Sequence, residues 1–273
     1  MIVFDSSTLI LLAKVEILDD FLNDYNGEVI IPYEVKEECC GRKNSFDALL
    51  IGRRVDEKKI KTGKIRNVKL CEKFMKDFSI SRGEAEALVL FIEKKAETKT
   101  ELFAADDKNA IKASKILMIP FTSALAILTR LVEKGIIDNT KAKVKLGMLE
   151  VWEIQGFNDK RSKRKAPYYR GGIVMSYKTM SIRIDKDDYD FVKRLATAER
   201  EDISAAVRGL IDLGRIHFAI EEYKKNTASL GKAAEIAGVS ISEMMNILAD
   251  YGVKSNLDDE DYRIGVKNLE AIY

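Results

Sequence analysis

The sequence is poor in the residues that build the commonest reactive sites. Its 273 residues include only three cysteines and a single histidine, His217. Three cysteines, of which Cys39 and Cys40 are adjacent, exclude the disulfide framework of a small secreted domain, and the lack of a CxxC spacing argues against a zinc site. One histidine likewise argues against catalysis by a nucleophile with a histidine base. We expect a protein of the reducing cytoplasm.

Long apolar runs are also missing. No stretch reaches the ~18 apolar residues that a transmembrane helix needs, and the N-terminus lacks a basic region followed by an apolar core. We therefore expect an untargeted cytoplasmic protein without membrane contact. The formal net charge is only +2 although charged residues make up 33% of the chain, so binding to a polyanion requires local clusters of basic side chains.

What the sequence does have is enough length and apolar content for two domains. Up to about residue 155, short apolar runs alternate with longer helical patterns. The predicted strands are MIVF, EVII, ELFAA, ILMIPF and LEVWEI, and the predicted helices are SRGEAEALVLFIEKKAE and TSALAILTRLVEKG. This alternation predicts an α/β domain over residues 1–155, with a parallel sheet flanked by helices.

The remainder of the chain has a different pattern, which predicts a mostly helical second domain. Residues 156–177 form a basic, glycine-containing linker in this interpretation. Residues 178–215 start with an alternating strand, followed by two short amphipathic helices, and residues 216–273 contain two helical runs around Gly238, the spacing of a helix-turn-helix. A lone strand must pair with another copy of itself, so we expect a homodimer or a higher even oligomer.

Two of the predicted strands end on acidic residues. Asp5 follows MIVF, and Asp106 with Asp107 follows ELFAA. Because the carboxyl ends of parallel strands share one edge of a sheet, these acids should lie close together. Glu38, in the helix after the second strand, and Glu84, in the first turn of a later helix, sit where helices could bring them to the same edge.

Clustered carboxylates repel one another by ~4 kcal/mol per pair at a surface-like dielectric, so they must be protonated or bridged by cations. Oxygen ligands without a neighbouring histidine or cysteine favour Mg²⁺ or Mn²⁺, which suit phosphodiester hydrolysis. Each acid also has an ordinary structural interpretation. Glu84 could complete a capping box, Glu38 could lie on a solvated helix face with Glu86 as the alternative ligand, Asp5 could form a turn, and Asp106 or Asp107 could cap a helix.

Four segments in this order resemble the motifs of PIN-domain nucleases of the VapC-like toxin type: IVFDSSTLI, IPYEVKEE, SRGEAEALVL and FAADDKNAIKAS. The resemblance implies that Asp5, Glu38, Glu84 and one or both of Asp106 and Asp107 hold the metal, and that the substrate is single-stranded RNA. It also implies that Ser7 and Thr122 position the acids or a metal-bound water. Ala105 replaces the threonine that is common in the fourth motif, which weakens the expected support there.

The strand and helices after residue 178 resemble ribbon-helix-helix antitoxins, and LGKAAEIAGVS resembles part of an antitoxin family often encoded beside PIN toxins. This resemblance implies that paired strands enter the major groove of operator DNA. The expected DNA contacts are Thr179, Ser181 and Arg183, with Lys178 on a phosphate. The alternative is a ribbon that only dimerises.

The helix ISEMMNILADYG carries Glu243 and Asp250 but no lysine or arginine, so we expect it to dock on protein rather than on DNA. A basic side chain from Lys254, Arg263 or Lys267 would then lie near the acids. The sequence thus predicts a metal-dependent endoribonuclease of a toxin-antitoxin system that carries its own antitoxin-like, dimerising and DNA-binding segment. The alternatives are a DNA-binding regulator with an inactive PIN domain, and an unrestrained RNA-processing nuclease.

Overall fold

The structure is a computed structural model that describes residues 1–41, 44–94, 101–154, 181–253 and 258–273, with the backbone alone for 150–154. The predicted linker at 156–177 and the predicted contacts Lys178, Thr179 and Lys254 lie outside the described residues. Across the described ranges, no helix combines the length and apolarity needed to cross a bilayer.

The N-terminal part contains a parallel sheet in the order β3-β2-β1-β4-β5. Its strands are β1 (Ile2–Phe4), β2 (Val29–Pro32), β3 (Lys61–Gly63), β4 (Leu102–Ala104) and β5 (Phe121–Thr122). Alternate residues of the central strands enter different cores: Ile2 and Phe4 pack on one side of the sheet and Val3 on the other. This two-residue alternation, with both faces buried, confirms the predicted parallel sheet flanked by helices.

Helices surround this sheet and, with the connecting loops, form the rest of the described chain. They are α1 (Ser6–Lys14), α2 (Leu18–Asp24), α3 (Tyr33–Cys40), α4 (Phe46–Asp56), α5 (Val68–Phe78), α6 (Arg82–Lys94), α7 (Lys108–Ile116), α8 (Ala124–Glu133), α9 (Asn139–Ile154), α10 (Lys186–Glu199), α11 (Ile203–Lys224), α12 (Leu230–Ala237), α13 (Ile241–Asp250) and α14 (Asp259–Glu270).

Two predictions about the sheet are wrong. The segment LEVWEI, residues 149–154, is the end of α9 rather than a strand, because a short apolar run does not by itself distinguish a strand from a helix. The edge strand β3 was missed, because its residues Lys61, Thr62 and Gly63 are exposed or half-buried and carry no apolar signal. Backbone pairing with β2, rather than side-chain burial, defines this strand.

Helices α12–α14, here called the docked segment, share their core with the α/β part. Met244, Met245 and Leu248 of α13 are buried in the same apolar cluster as Leu9 and Leu12 of α1. The helix-turn-helix prediction agrees with this geometry, since α12 and α13 are joined through Gly238, which has φ of +75°. Because glycine has no side chain, Gly238 adopts this left-handed conformation without strain and so ends α12.

Residues 186–214, here called the hairpin, comprise α10 and the first half of α11 and have a small core of their own. Val192, Ala196 and Ala206 form that core. The predicted ribbon strand is not formed in the single chain: residues 181–185 are exposed and belong to no strand. Such a strand has no pairing partner unless a second copy provides one.

Candidate active site

Asp5 leaves the end of β1 and caps the helix that follows. Its Oδ1 accepts a hydrogen bond from the Thr8 backbone N–H at 2.8 Å, and its Oδ2 accepts one from Ser7 Oγ at 2.7 Å. The carboxylate is fully buried. Asp5 therefore caps a helix, whereas its ordinary structural interpretation from the sequence was a turn, and Ser7 contacts it where the PIN resemblance places a positioning side chain.

Asp106 and Asp107 follow β4 and have separate partners. Asp107 caps α7, since its Oδ1 accepts hydrogen bonds from the Asn109 N–H at 2.8 Å and the Ala110 N–H at 3.2 Å. Both oxygens of Asp106 face the Ala124 N–H at the start of α8, at 3.1 and 2.9 Å. Each acid thus ties the sheet edge to a helix N-terminus, where a negative charge is favoured.

Glu84 completes a capping box at the start of α6. Its Oε2 accepts a hydrogen bond from the Ser81 N–H at 2.7 Å, while the Glu84 N–H donates to Ser81 Oγ at 3.3 Å. The side chain is nevertheless turned into the protein and is buried, and its Oε1 has no hydrogen-bond partner among the residues that the structure describes. Two residues further on, Glu86 instead pairs with Arg82 at 3.1 Å.

Glu38 lies beside this group on α3. It accepts hydrogen bonds from Ser6 Oγ and from the Gly83 backbone N–H, the latter at 3.3 Å. Ser6 follows Asp5 and Gly83 precedes Glu84 in the sequence. Their hydrogen bonds therefore hold Glu38 next to the segments that carry Asp5 and Glu84. A Cβ at Gly83 would lie 2.1 Å from Glu38 Oε2, so this approach requires glycine.

The carboxyl groups have raised pKa values, and burial is the largest cause. Burial raises the pKa of Asp5 from 3.8 to about 7, with a further contribution from the nearby charge of Asp106. Burial followed by the charge of Asp107 raises the pKa of Glu84 well above 4.5. Burial also raises the pKa of Glu38 to about 7 and that of Asp107 to about 6. The structure thus brings together buried acids with raised pKa values, a combination typical of functional sites.

The N-terminus of α12 lies against these acids, which the sequence did not predict. Ser229 Oγ donates to Glu84 Oε2 at 2.6 Å, and the Leu230 N–H donates to Asp107 Oδ2 at 2.7 Å. A basic side chain was expected here instead. Arg263 and Lys267 are exposed on α14, and none of the ion pairs within the described ranges joins either of them to the five acids.

The oxygen atoms of these acids are the kind of ligand that a hard divalent cation prefers. The positions of the side chains in this structure, however, do not form a site for such an ion. The acids supply oxygen ligands only, and Glu84 Oε1 is a buried oxygen without a hydrogen-bond partner in the described ranges. Yet in the part of the chain that the structure describes, no three acidic, histidine or cysteine side chains are placed to hold one metal ion. Protein donors, including those of α12, occupy oxygens that such an ion would need.

Thr122, at the end of β5, is the other residue expected to support the acids. It is fully buried and its Oγ1 has no hydrogen-bond partner among the described residues. Helix α14 packs beside it, with Asn268 Nδ2 donating to the Phe121 carbonyl at 2.9 Å. The supporting role of Thr122 stays a prediction.

The predicted DNA contacts within the described ranges are Ser181 and Arg183. Both side chains are exposed and precede α10 at Lys186. They lie in a part of the chain that is distinct from the acidic cluster and its covering helix α12. Their role in DNA binding stays a prediction.

Comparison with known families gives two matches. A family model described as PIN domain matches residues 1–150, which is more than half of the chain. A second model, described as an uncharacterised protein family (UPF0175), matches residues 210–270 and so includes the docked segment. No curated protein and no solved structure matches the chain. The VapC-like and ribbon-helix-helix resemblances remain predictions.

Proposed function

The chain belongs to the PIN-domain family, and from this premise we propose that it is a divalent-metal-dependent endoribonuclease that cleaves single-stranded RNA. In this proposal the protein is a toxin and its antitoxin-like segment on one chain. The segment from residue 178 onward dimerises the protein and binds operator DNA. PIN domains are generally nucleases, which makes hydrolysis of a phosphodiester the first activity to test.

The observation that supports the proposal best is the burial of Asp5, Glu84 and Asp107 at the carboxyl edge of the sheet. Burying several carboxylates costs free energy, and their raised pKa values show that protein donors compensate this cost only in part. Capping accounts for each acid singly but not for several buried carboxylates at one edge of the sheet, which is a feature typical of functional sites.

Mg²⁺ or Mn²⁺ would be the cofactor, with Asp5, Glu38, Glu84, Asp106 and Asp107 as the candidate ligands. Such an ion supplies a water activated for attack and stabilises the departing oxygen. In the proposal, Ser7 and Thr122 orient the acids.

The test uses the intact chain, because truncation near residue 150 would expose the core that α13 shares with α1. Wild type and Gly231→Ala, a change at the start of α12, are assayed on single-stranded RNA with Mn²⁺. We expect cleavage in at least one of them. Asp5→Asn, introduced into the more active protein, should lower the rate at least about a hundredfold, or ~2.7 kcal/mol in barrier height.

Glu86→Gln is the matched control, because Glu86 is a buried acid of the same helix as Glu84 but pairs with Arg82. It should retain the cleavage rate, whereas Glu84→Gln should lose it. If neither wild type nor Gly231→Ala cleaves RNA while both remain folded, the nuclease proposal is wrong. The DNA-binding regulator with a structural PIN domain is then the better explanation.

A further inference from the structure

The N-terminal end of α12, together with its cap Ser229, makes three polar contacts with the α/β part, and all of them lie around the acids. Besides the bonds to Glu84 and Asp107, the Ser229 N–H donates to the Ser79 carbonyl at 3.1 Å. The Ser229 hydroxyl also accepts a hydrogen bond from the Lys232 N–H at 3.0 Å. Because the hydroxyl accepts this bond as the cap of α12, its single proton is available for Glu84.

Gly231 allows this close approach. A Cβ at this position would lie 2.4 Å from Ser81 Oγ and 3.3 Å from Glu84 Oε1. Ser81 is fully buried and its hydroxyl is held in the capping box with Glu84, so it has no room to move away. Any larger residue must push α12 off the acids or distort the start of α6.

The donors of α12 are weak substitutes for a metal ion. A helix N-terminus carries the equivalent of roughly half a positive charge, whereas a divalent ion carries two. The helix and the ion would use the same oxygens: Asp107 Oδ2 and Glu84 Oε2 already accept bonds from α12. A cation of that charge should therefore compete with α12 for these carboxylates.

Helix α12 also buries less apolar side-chain area than the neighbouring helix α13. Its buried face consists of Leu230 and three alanines, Ala233, Ala234 and Ala237. Helix α13 instead buries Met244, Met245 and Leu248, and Lys14 Nζ donates to its Ser242 carbonyl and to Asn246 Oδ1 at 3.2 and 2.9 Å. Because alanine buries little area, α12 can withdraw at a much smaller cost than α13.

We propose that α12 is an intramolecular lock: Ser229, Leu230 and Gly231 occupy the carboxylate site, and a divalent cation binds there only when this end of the helix withdraws. The proposal rests on the proposed function, since it regulates the same site. It explains why acids of the right chemistry are not arranged as a metal site in the locked chain.

The test is Mn²⁺ binding and hydrogen exchange in the full-length protein, with Gly231→Ala as the variant. Gly209→Ala is the matched control, because a Cβ at Gly209 of α11 would meet no atom of the described residues within 4 Å. In Gly231→Ala we expect the amides of residues 229–237 to exchange at least tenfold faster and Mn²⁺ to bind at least tenfold more tightly, measured by calorimetry. Gly209→Ala should change neither. In wild type, added Mn²⁺ should speed exchange in residues 229–237.

A second pair of variants covers the case in which Gly231→Ala fails to fold. Ser229→Ala and Ser240→Ala each remove a serine cap, from α12 and α13 respectively, but only Ser229 contacts an acid of the site. Ser229→Ala should increase Mn²⁺ affinity and Ser240→Ala should not. Equal Mn²⁺ affinity in wild type and in a folded variant whose α12 exchanges faster would overturn the lock, as would protection of α12 by Mn²⁺.

RNA cleavage then separates the two proposals. If Gly231→Ala binds Mn²⁺ more tightly but cleaves no RNA, the lock stands and the nuclease proposal fails. If wild type cleaves RNA as fast as Gly231→Ala, the nuclease proposal stands and the lock fails.

Discussion

The docked segment and the hairpin are neighbours in the chain but differ in how their apolar residues are used. In the docked segment, Met244 is fully buried against the α/β part. In the hairpin, Ile211 is 51% exposed, and Tyr189, Phe191, Ile203 and Leu213 are also exposed. The docked segment has its partner within the same chain, while the hairpin presents an exposed apolar surface, which the proposed dimer would require.

This difference indicates that the two parts have separate tasks. Contacts made within one chain do not depend on concentration, so the docked segment can hold the acidic site closed in every molecule. Contacts made by the hairpin depend on how much protein is present. The predicted dimerisation would therefore control DNA binding without being needed for the closed site.

The largest expected effect is on stability. Met244→Ala should lower the free energy of unfolding by about 2–5 kcal/mol, because it leaves a cavity in the shared core. Ile211→Ala should change it by no more than about 0.5 kcal/mol in dilute protein, because the side chain is half exposed in the single chain. Urea unfolding at low protein concentration measures both. Equal losses would mean that the hairpin is as firmly packed as the docked segment.

The next effect concerns association. Ile211→Asp should weaken the expected dimer at least about a hundredfold, or ~2.7 kcal/mol, because it places a charge in the apolar face of the hairpin. Sedimentation equilibrium gives the dissociation constant. Leu49→Asp is the control, since Leu49 of α4 is 60% exposed but lies outside the hairpin. A monomeric wild type, or equal dissociation in the control, would remove the role assigned to the hairpin.

The last effect is a pH dependence of stability that comes from the acids beneath the docked segment. The pKa values of Asp5 and Glu38 are raised to about 7 and that of Asp107 to about 6 in the folded protein. The folded state thus binds more protons than the unfolded chain between pH 5 and 8. The free energy of unfolding should therefore fall as pH rises through this range, by up to ~1.4 kcal/mol per pH unit for each proton.

Urea unfolding with a chelator present measures this slope. Asp5→Asn should flatten it, because the amide does not titrate. Stability that rises from pH 5 to pH 8 in wild type would contradict the raised pKa values.

Much of the α/β part could be predicted from the sequence because its signals are local. Asp5 and Asp107 end apolar runs, and the parallel sheet brings such ends to one edge. The failures have equally physical reasons. LEVWEI is apolar enough for a strand, but it continues a helix that starts at Asn139, and β3 is an edge strand of polar residues.

The contact between the N-terminal end of α12 and the acids was not predicted, and the reason is different. Its donors are a serine hydroxyl and a backbone N–H, and Ser229 lies 145 residues from Glu84 in sequence. A serine before a helical run signals a cap but does not tell which acid its proton reaches. The prediction of a basic side chain looked only for charged partners and so overlooked the donors at the end of a helix.

Helix α11 connects the two regions as a single rod of 22 residues, about 33 Å long. Its first half belongs to the hairpin, its far end buries Tyr223, and between them Arg215 Nε holds the Ile236 carbonyl of α12 at 2.8 Å. The two halves of one continuous helix are coupled mechanically, so a displacement of the hairpin would be transmitted towards α12. A partner that grips the hairpin would exert torque directly on the helix that covers the acids.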